Sequence, residues 1–387
     1  MARPDVFIVA AEPSGDHLGA GLASALRQQK SDIQLRAIGG LAMEDEGLPS
    51  QMDIDGLAIM GFFEGLKVYG FVLRKVREAA TLILDANPKS VVLIDSWGFM
   101  VRVAKRLKQE GYSGKIIKFV APQVWAMRPS RAKVLARYID HLLSTQPMDA
   151  PYFDAAGLPQ TFVGNPVLDQ DYLSGDKTGF LNRHHLSPGK TTIGFFFGSR
   201  PSEIQRVGPA ILVAMDRLRL AYPEMQAVCV IADPIRHLVE PMLQNQAVTC
   251  VDQSEFLDAI VAIDGAVACS GTVTTQLAAA GVPTSVIYRL SPLTYWTARA
   301  MFKPRFISLV NISADADGSV LDEPLMPEFL QDEIMTSAPA DALIDILNDS
   351  QRAANLREQL INETRRMGAG SDNASDRAAA AILSLIA

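Results

Sequence analysis

Short apolar runs alternate with longer amphipathic stretches along this chain, the pattern of parallel strands joined by crossover helices. In the first half the strand-like runs are Val6–Ala11, Gln34–Ile38, Ser90–Ile94, Lys115–Phe119, His141–Ser144 and Thr161–Val163. Helical periodicity fills the intervals: Leu18–Gln28, with Leu18, Leu22 and Leu26 on one face, then Leu66–Ala86, Met100–Glu110 and Arg131–Arg137. A polar break at Asp169–Lys190 separates this from a second series, Thr191–Phe197, Ala227–Ile231, Val248–Val251, Gly265–Cys269 and Thr284–Tyr288, again with helices between. The tail, Leu343–Ala387, is helical in pattern, with Gly368-Ala369-Gly370-Ser371 as a break. The pattern predicts an α/β protein of two doubly wound domains, residues 1-170 and 190-350, hinged in the polar break and facing a central cleft. Sheets of this kind take ligands beyond the carboxyl ends of their strands.

Composition narrows the class. The 387 residues suit two domains, and 48% hydrophobic with 20% charged residues is ordinary for a well-packed α/β chain. A formal charge of -7 disfavours a nucleic-acid partner. The cysteines Cys229, Cys250 and Cys269 form no CxxC pair and have no histidine at zinc spacing, which predicts free thiols in a reducing compartment. Val6–Ala10 is too short for a signal-peptide core, and the longest uncharged stretch, Gly265–Tyr288, is broken by glycines and a proline. The expectation is a cytoplasmic protein.

Candidate chemistry sits where strands end. Ala11-Glu12-Pro13-Ser14-Gly15-Asp16 follows the first strand, with Ser14 and Asp16 able to cap the next helix and Gly15 permitting close backbone approach. Asp95 follows Val91–Ile94; a carboxylate there serves either as general base on a sugar hydroxyl or as cap for a helix beginning near Met100. Gly198-Ser199-Arg200 after Phe195–Phe197 reads as a phosphate clamp, or as a surface arginine paired with Glu203. Ser270-Gly271-Thr272 opens a helix whose free N–H groups favour a diphosphate, with Gln276 one turn on facing a ribose. Two such turns in one domain suggest a nucleotide. Asp315-Ala316-Asp317 is a D-x-D, but no third ligand is near, so no metal is expected. Two apolar stretches edged by cations, Leu57–Leu73 with Lys67, Arg74, Lys75 and Arg77, and Tyr295–Phe302 with Arg299, Lys303 and Arg305, suit either core packing or acyl chains and anionic headgroups.

In order along nearly the whole chain, these pieces resemble the lipid A disaccharide synthases. The resemblance is carried by Glu12–Asp16, Leu57-Ala58-Ile59-Met60-Gly61-Phe62, Asp95 before Arg102–Lys105, Pro122–Ala126 with Arg128, and Gly164-Asn165-Pro166. It continues through Gly198–Arg200, Ser270–Thr272, Tyr288-Arg289, Ser308–Asn311 and Pro327-Glu328. It implies a GT-B-like arrangement of two Rossmann-like domains, with helices over 351-387 packing back toward the first. The implied reaction is inverting transfer of 2,3-diacylglucosamine from its UDP derivative to 2,3-diacylglucosamine 1-phosphate, without metal or cofactor. By family position Asp95 is the catalytic carboxylate, and Ser14, Gly15, Ser199, Arg200, Ser270, Gly271, Thr272, Gln276 and Asn311 touch substrate or UDP. The implied partners are the two acylated sugars and the inner face of the cytoplasmic membrane, held peripherally, with room for a homodimer. Against the family pattern, Gln276 replaces a glutamate, Asn165 a histidine, Gly98 an aspartate and Phe197 a proline. Gln276 and Asn165 keep in view a related UDP-sugar transferase, a UDP-sugar epimerase, and a non-catalytic nucleotide- or lipid-binding relative.

Overall fold

A computed structural model describes residues 3–57, 67–316, 321–370 and 372–387. The chain divides into two compact units, Met1–Pro166 with Asp372–Ala387, and Val167–Ser371. The first unit begins with β1 (Val6–Val9), α1 (Pro13–Gln29), β2 (Leu35–Ile38), α2 (Leu41–Asp45), α3 (Lys67–Ala86) and β3 (Ser90–Ile94). It continues with α4 (Trp97–Gln109), β4 (Lys115–Phe119), α5 (Ser130–Ala136), β5 (His141–Ser144), α6 (Ala150–Asp154) and β6 (Gln160–Phe162). Among the described residues its strands form one parallel sheet in the order β2-β1-β3-β4-β5-β6.

The second unit contains α7 (Lys177–Arg183), β7 (Thr192–Phe196), α8 (Pro201–Ala221), β8 (Gln226–Ile231), α9 (Asp233–Leu243), β9 (Val248–Asp252) and α10 (Phe256–Ala262). There follow β10 (Gly265–Cys269), α11 (Thr272–Ala279), β11 (Thr284–Tyr288), α12 (Pro292–Met301), α13 (Leu309–Asp315), β12 (Glu328–Leu330), α14 (Ala338–Asn348) and α15 (Ser350–Arg366). Its strands are also parallel, in the order β12-β11-β10-β7-β8-β9. The three-residue β12 carries no strand signal in the sequence; it exists only by pairing Val286–Tyr288 with Glu328–Leu330.

Strand side chains alternate between two cores, as a pleat requires. Phe7 and Val9 enter one core with Val91, Leu93 and Val103, while Val6 and Ile8 enter the other with Val92, Ile94 and Leu22. In the second unit Phe196, Val228 and Ala268 face one side, and Phe195, Cys229 and Val267 the other. Burial on both faces explains why these strands read as continuous apolar runs. The segment 169–190 is not all linker: α7 buries Phe180 and Leu181 beside Phe256 and Ile260.

The tail is shared between the units. Leu356, Leu360 and Met367 of the α15 region join the second core. Only α16 (Ala374–Ile386) returns to the first unit, where Ala378, Ala379 and Ile382 pack with Leu22 and Leu26. A Cβ on Gly21 would stand 2.9 Å from Ser375 Oγ, so glycine permits the close approach of α1 and α16. No described helix is long and apolar enough to cross a membrane.

Candidate active site

Each strand order reverses once beside its first strand, and the reversal opens a crevice at the carboxyl ends. In the first unit the reversal lies between β1 and β3, which end in Glu12 and Asp95. In the second it lies between β7 and β10, which end in Gly198–Arg200 and Ser270–Thr272. The strand-end motifs thus occupy both switch points.

Asp95 and Ser96 are both left-handed, at φ 46° and 37°. Such conformations cost about 1–3 kcal/mol each for non-glycine residues and persist where neighbours hold them. Here the holders are backbone and lysine. Asp95 N–H donates to Phe119 O at 3.0 Å, and Lys118 Nζ donates to Asp95 O at 2.7 Å and Phe119 O at 3.0 Å. Ser96 Oγ donates to the Glu12 carboxylate, tying the β3 turn to the β1 turn. Lys118 is 2% exposed; burial pushes its ammonium down to about 7, against the pull of Asp95 and Glu12. The sequence reading overlooked Lys118, although a lysine inside Lys115-Ile116-Ile117-Lys118-Phe119 was the visible signal.

Asp95 does not cap α4. That helix starts at Trp97, earlier than expected, and has no side-chain cap. The Asp95 carboxylate carries no hydrogen bond among the described residues. The first turn differs from expectation as well. Helix α1 begins at Pro13 with no side-chain cap, so neither Ser14 nor Asp16 caps it. The buried Asp16 instead accepts from Gly40 N at 2.7 Å and Ala42 N at 2.8 Å, at the start of α2. Ser14 is exposed, and Gly15 lies against Ala10 and Ile94.

The second unit carries a cavity of about 860 Å³ along the carboxyl edge of its sheet. Ser199, Arg200, Ser270, Gly271, Thr272 and Gln276 all line it. The two turns are not equivalent. At α8 the Glu203 carboxylate accepts from Ser199 N and Arg200 N, each at 3.3 Å, and from Arg200 Nη1 at 3.0 Å. At α11 there is no side-chain cap, and the N–H groups of Gly271, Thr272 and Val273 carry no hydrogen bond among the described residues. Open space surrounds the position of a Cβ on Gly271. Of the two turns, the α11 terminus is the one whose backbone donors stay open to the cavity. Arg200 is paired with Glu203, yet its side chain stays 75% exposed at the mouth of the cavity.

The ends of the cavity also differ. On the β8–β9 side Gln276 Nε2 donates to Tyr172 OH at 3.1 Å, and Tyr172 meets Phe256 edge-on at 6.4 Å. On the β11–β12 side the wall is Leu290, Leu330 and, from α12, Tyr295, Ala298 and Phe302. Burial raises the Cys269 thiol to about 12, so it meets the cavity as a protonated packing group.

Asn311 does not join the cavity lining. It is 0% exposed, and its amide donates to Met326 O and Glu328 Oε1, both at 2.7 Å, while its carbonyl accepts from Met326 N at 3.0 Å. Glu328 in turn accepts from Ile307 N and Ser308 N ahead of α13. All the hydrogen-bonding atoms of the amide are spent on fastening α13 to the β12 segment. A direct substrate contact by Asn311 is therefore corrected to a supporting one. Of the D-x-D, Asp315 pairs with Arg305 at 3.3 Å and Asp317 lies outside the described residues, as do Ala58–Phe62 of the early apolar motif. No metal-ligating cluster occurs among the described residues.

A family model described as Lipid-A-disaccharide synthetase matches residues 6–383. A lipid-A-disaccharide synthase of Rhodospirillum centenum is 35% identical over 385 residues, covering 98% of this chain and 94% of the relative. The chain belongs to the lipid-A-disaccharide synthase family. It is accordingly a glycosyltransferase of GT-B fold, and solved structures agree on the fold. A UDP-GlcNAc 2-epimerase of Neisseria meningitidis, solved with UDP-GlcNAc, superposes with a TM-score of 0.61 at 11% identity, covering 98% of this chain and 99% of that one. MurG of Acinetobacter baumannii gives 0.58 at 13%, covering 98% and 100%. Within this synthase the six second-unit motif residues surround one cavity, while Asp95 belongs to the first unit's crevice.

Proposed function

We propose that this synthase transfers 2,3-diacylglucosamine from UDP to the 6-hydroxyl of 2,3-diacylglucosamine 1-phosphate, giving a β-linked disaccharide 1-phosphate and UDP. The observation that carries the reading is the uncapped α11 terminus inside a nucleotide-sized cavity, in a chain that matches its family from end to end. The diphosphate takes the open N–H groups of Gly271 to Val273, and Arg200 reaches the same anion from the cavity mouth. Uridine lies toward Phe256, with its ribose on Gln276, because the Gln276–Tyr172–Phe256 contacts mark that side. The acylated sugar then extends toward Leu290, Ala298 and Phe302.

Asp95 removes the proton from the acceptor hydroxyl as that oxygen attacks the anomeric carbon from the face opposite UDP. The bond to the diphosphate breaks with inversion, and UDP leaves carrying the electron pair. Lys118 is a positioning residue, since its ammonium fixes the peptide that aims Asp95. Peripheral binding to the inner membrane face is supported by α3, which exposes Tyr69 together with Arg74 and Arg77 along its length.

The test is UDP release by the purified protein from both acylated substrates in detergent. Asp95→Asn is expected to lower turnover at least 100-fold, the usual worth of a general base, and to bind UDP like the parent. Folded protein that releases no UDP would refute the transfer. UDP-sugar conversion without any acceptor would replace it with an epimerase.

A further inference from the structure

The first unit holds an unpaired cationic pair beside the Asp95 turn. The loop after β4 passes through Arg128 in a left-handed conformation, φ 56°, and Arg131 N–H then donates to Arg128 O at 3.0 Å. That turn brings the two residues together, and the Arg128 charge acts on the Arg131 guanidinium, a like-charge pairing that is unfavourable without an anion nearby. Arg131 lies over Trp97, 5.0 Å from the ring centre, and Trp97 is the first residue of α4, two after Asp95. Neither arginine has a carboxylate partner among the described residues. The Glu12 carboxylate is engaged by Ser96, and Asp95 is the reacting group. The start of α4, which Trp97 opens, has no side-chain cap of its own. Burial and the charge of Arg128 both push the Arg131 guanidinium down, as expected of a cation waiting for an anion.

We infer that Arg128 and Arg131, with the α4 terminus, form the subsite for the 1-phosphate of the acceptor sugar. The inference rests on the transfer proposed above. The acceptor carries its nucleophilic 6-hydroxyl and its 1-phosphate at opposite sides of one sugar ring, so the phosphate site must stand a ring's width from the general base. Trp97 spans that interval: its backbone follows the Asp95 turn, and its ring supports Arg131. The arginines would thereby orient the acceptor as well as bind it, because phosphate in this seat leaves the opposite side of the ring over Asp95.

The experiment compares two acceptors in neutral detergent micelles, diacylglucosamine 1-phosphate and its 1-O-methyl analogue, with wild type, Arg128→Gln, Arg131→Gln and Arg131→Lys. Arg131→Gln is expected to raise KM for the phosphorylated acceptor roughly 10- to 100-fold, the worth of a charge-assisted bond. Arg128→Gln, at an exposed site, should raise it several-fold with an unchanged thermal melt, and Arg131→Lys should recover part of the loss. KM for the methyl analogue should already be high in wild type and should not move in the variants, nor should KM for the donor. Equal losses on both acceptors, or a fall in kcat at constant KM, would overturn the assignment. So would an effect that appears only on vesicles of anionic phospholipid, which would make the pair a headgroup contact. Wild-type protein inactive on both acceptors would instead remove the transfer reading itself.

Discussion

Replacing Lys118 by methionine tests the proposed role of the Asp95 turn separately from that of the second unit's cavity. The substitution keeps the length and apolar stem of the side chain but deletes two charge-assisted hydrogen bonds, at 2.7 Å to Asp95 O and 3.0 Å to Phe119 O. A bond to a charged group is worth about 1.5–3 kcal/mol, so below pH 7, where Lys118 keeps its proton, relaxation of the Asp95 turn by that amount should lower kcat roughly 10- to 100-fold. UDP affinity should stay within about twofold, because every residue lining the cavity belongs to the second unit. Stability supplies an independent arm. The folded ammonium releases its proton at about 7, whereas the unfolded lysine holds it to 10.5. Between those values the unfolded chain binds more protons, so this group makes the native state more stable as pH rises. The stability of wild type relative to Lys118→Met should therefore grow from pH 7 to pH 9, by about 2 kcal/mol at a limiting slope of about 1.4 kcal/mol per pH unit. Urea titrations in a Trp296→Phe background, with Trp97 and Trp125 reporting the first unit, measure it. A kcat within threefold of wild type, or a stability difference that shrinks with rising pH, would refute the argument.

Other outcomes follow from the same geometry. Gln276→Glu supplies a second acceptor for the ribose hydroxyls and should tighten UDP binding roughly fivefold, about 1 kcal/mol, by calorimetry; weaker binding would show that Gln276 faces something else. Asn311→Ala breaks three buried hydrogen bonds and should destabilise the second unit by about 3 kcal/mol. Its activity loss should accompany the loss of folded protein and of UDP binding, and a fully stable but inactive variant would restore a direct substrate role. Asp149 is raised by burial from 3.8 to about 7, so the folded chain binds the extra proton between those values and its stability falls as pH rises through them. Asp149→Asn should remove that fall, gaining more over wild type at pH 8 than at pH 5 in thermal melts; an equal gain at both would count against it.

The sequence by itself determined the fold class, most strand limits and the identity of the strand-end motifs. Strands buried on both faces read as mainly apolar runs, so Ser90–Ile94, Lys115–Phe119, His141–Ser144, Gly265–Cys269 and Thr284–Tyr288 could be read to the residue. Residues that must end a strand and begin a helix are equally local, which is why Asp95, Arg200 and Gly271 stood out. Tertiary structure decided everything that depends on who is next to whom. Pairing with β11 creates β12, and close packing against α1 draws α16 alone back to the first unit. The partner of a polar side chain is likewise invisible along the chain. Asp16 caps α2 and not its own helix, Glu203 takes the backbone donors ahead of α8 while those of α11 stay open, and Asn311 spends its amide inside the wall. Lys118 shows the division most plainly: its charge is written in the strand, but only burial between the β3 and β4 ends makes that charge costly, and only there can it hold Asp95 in place.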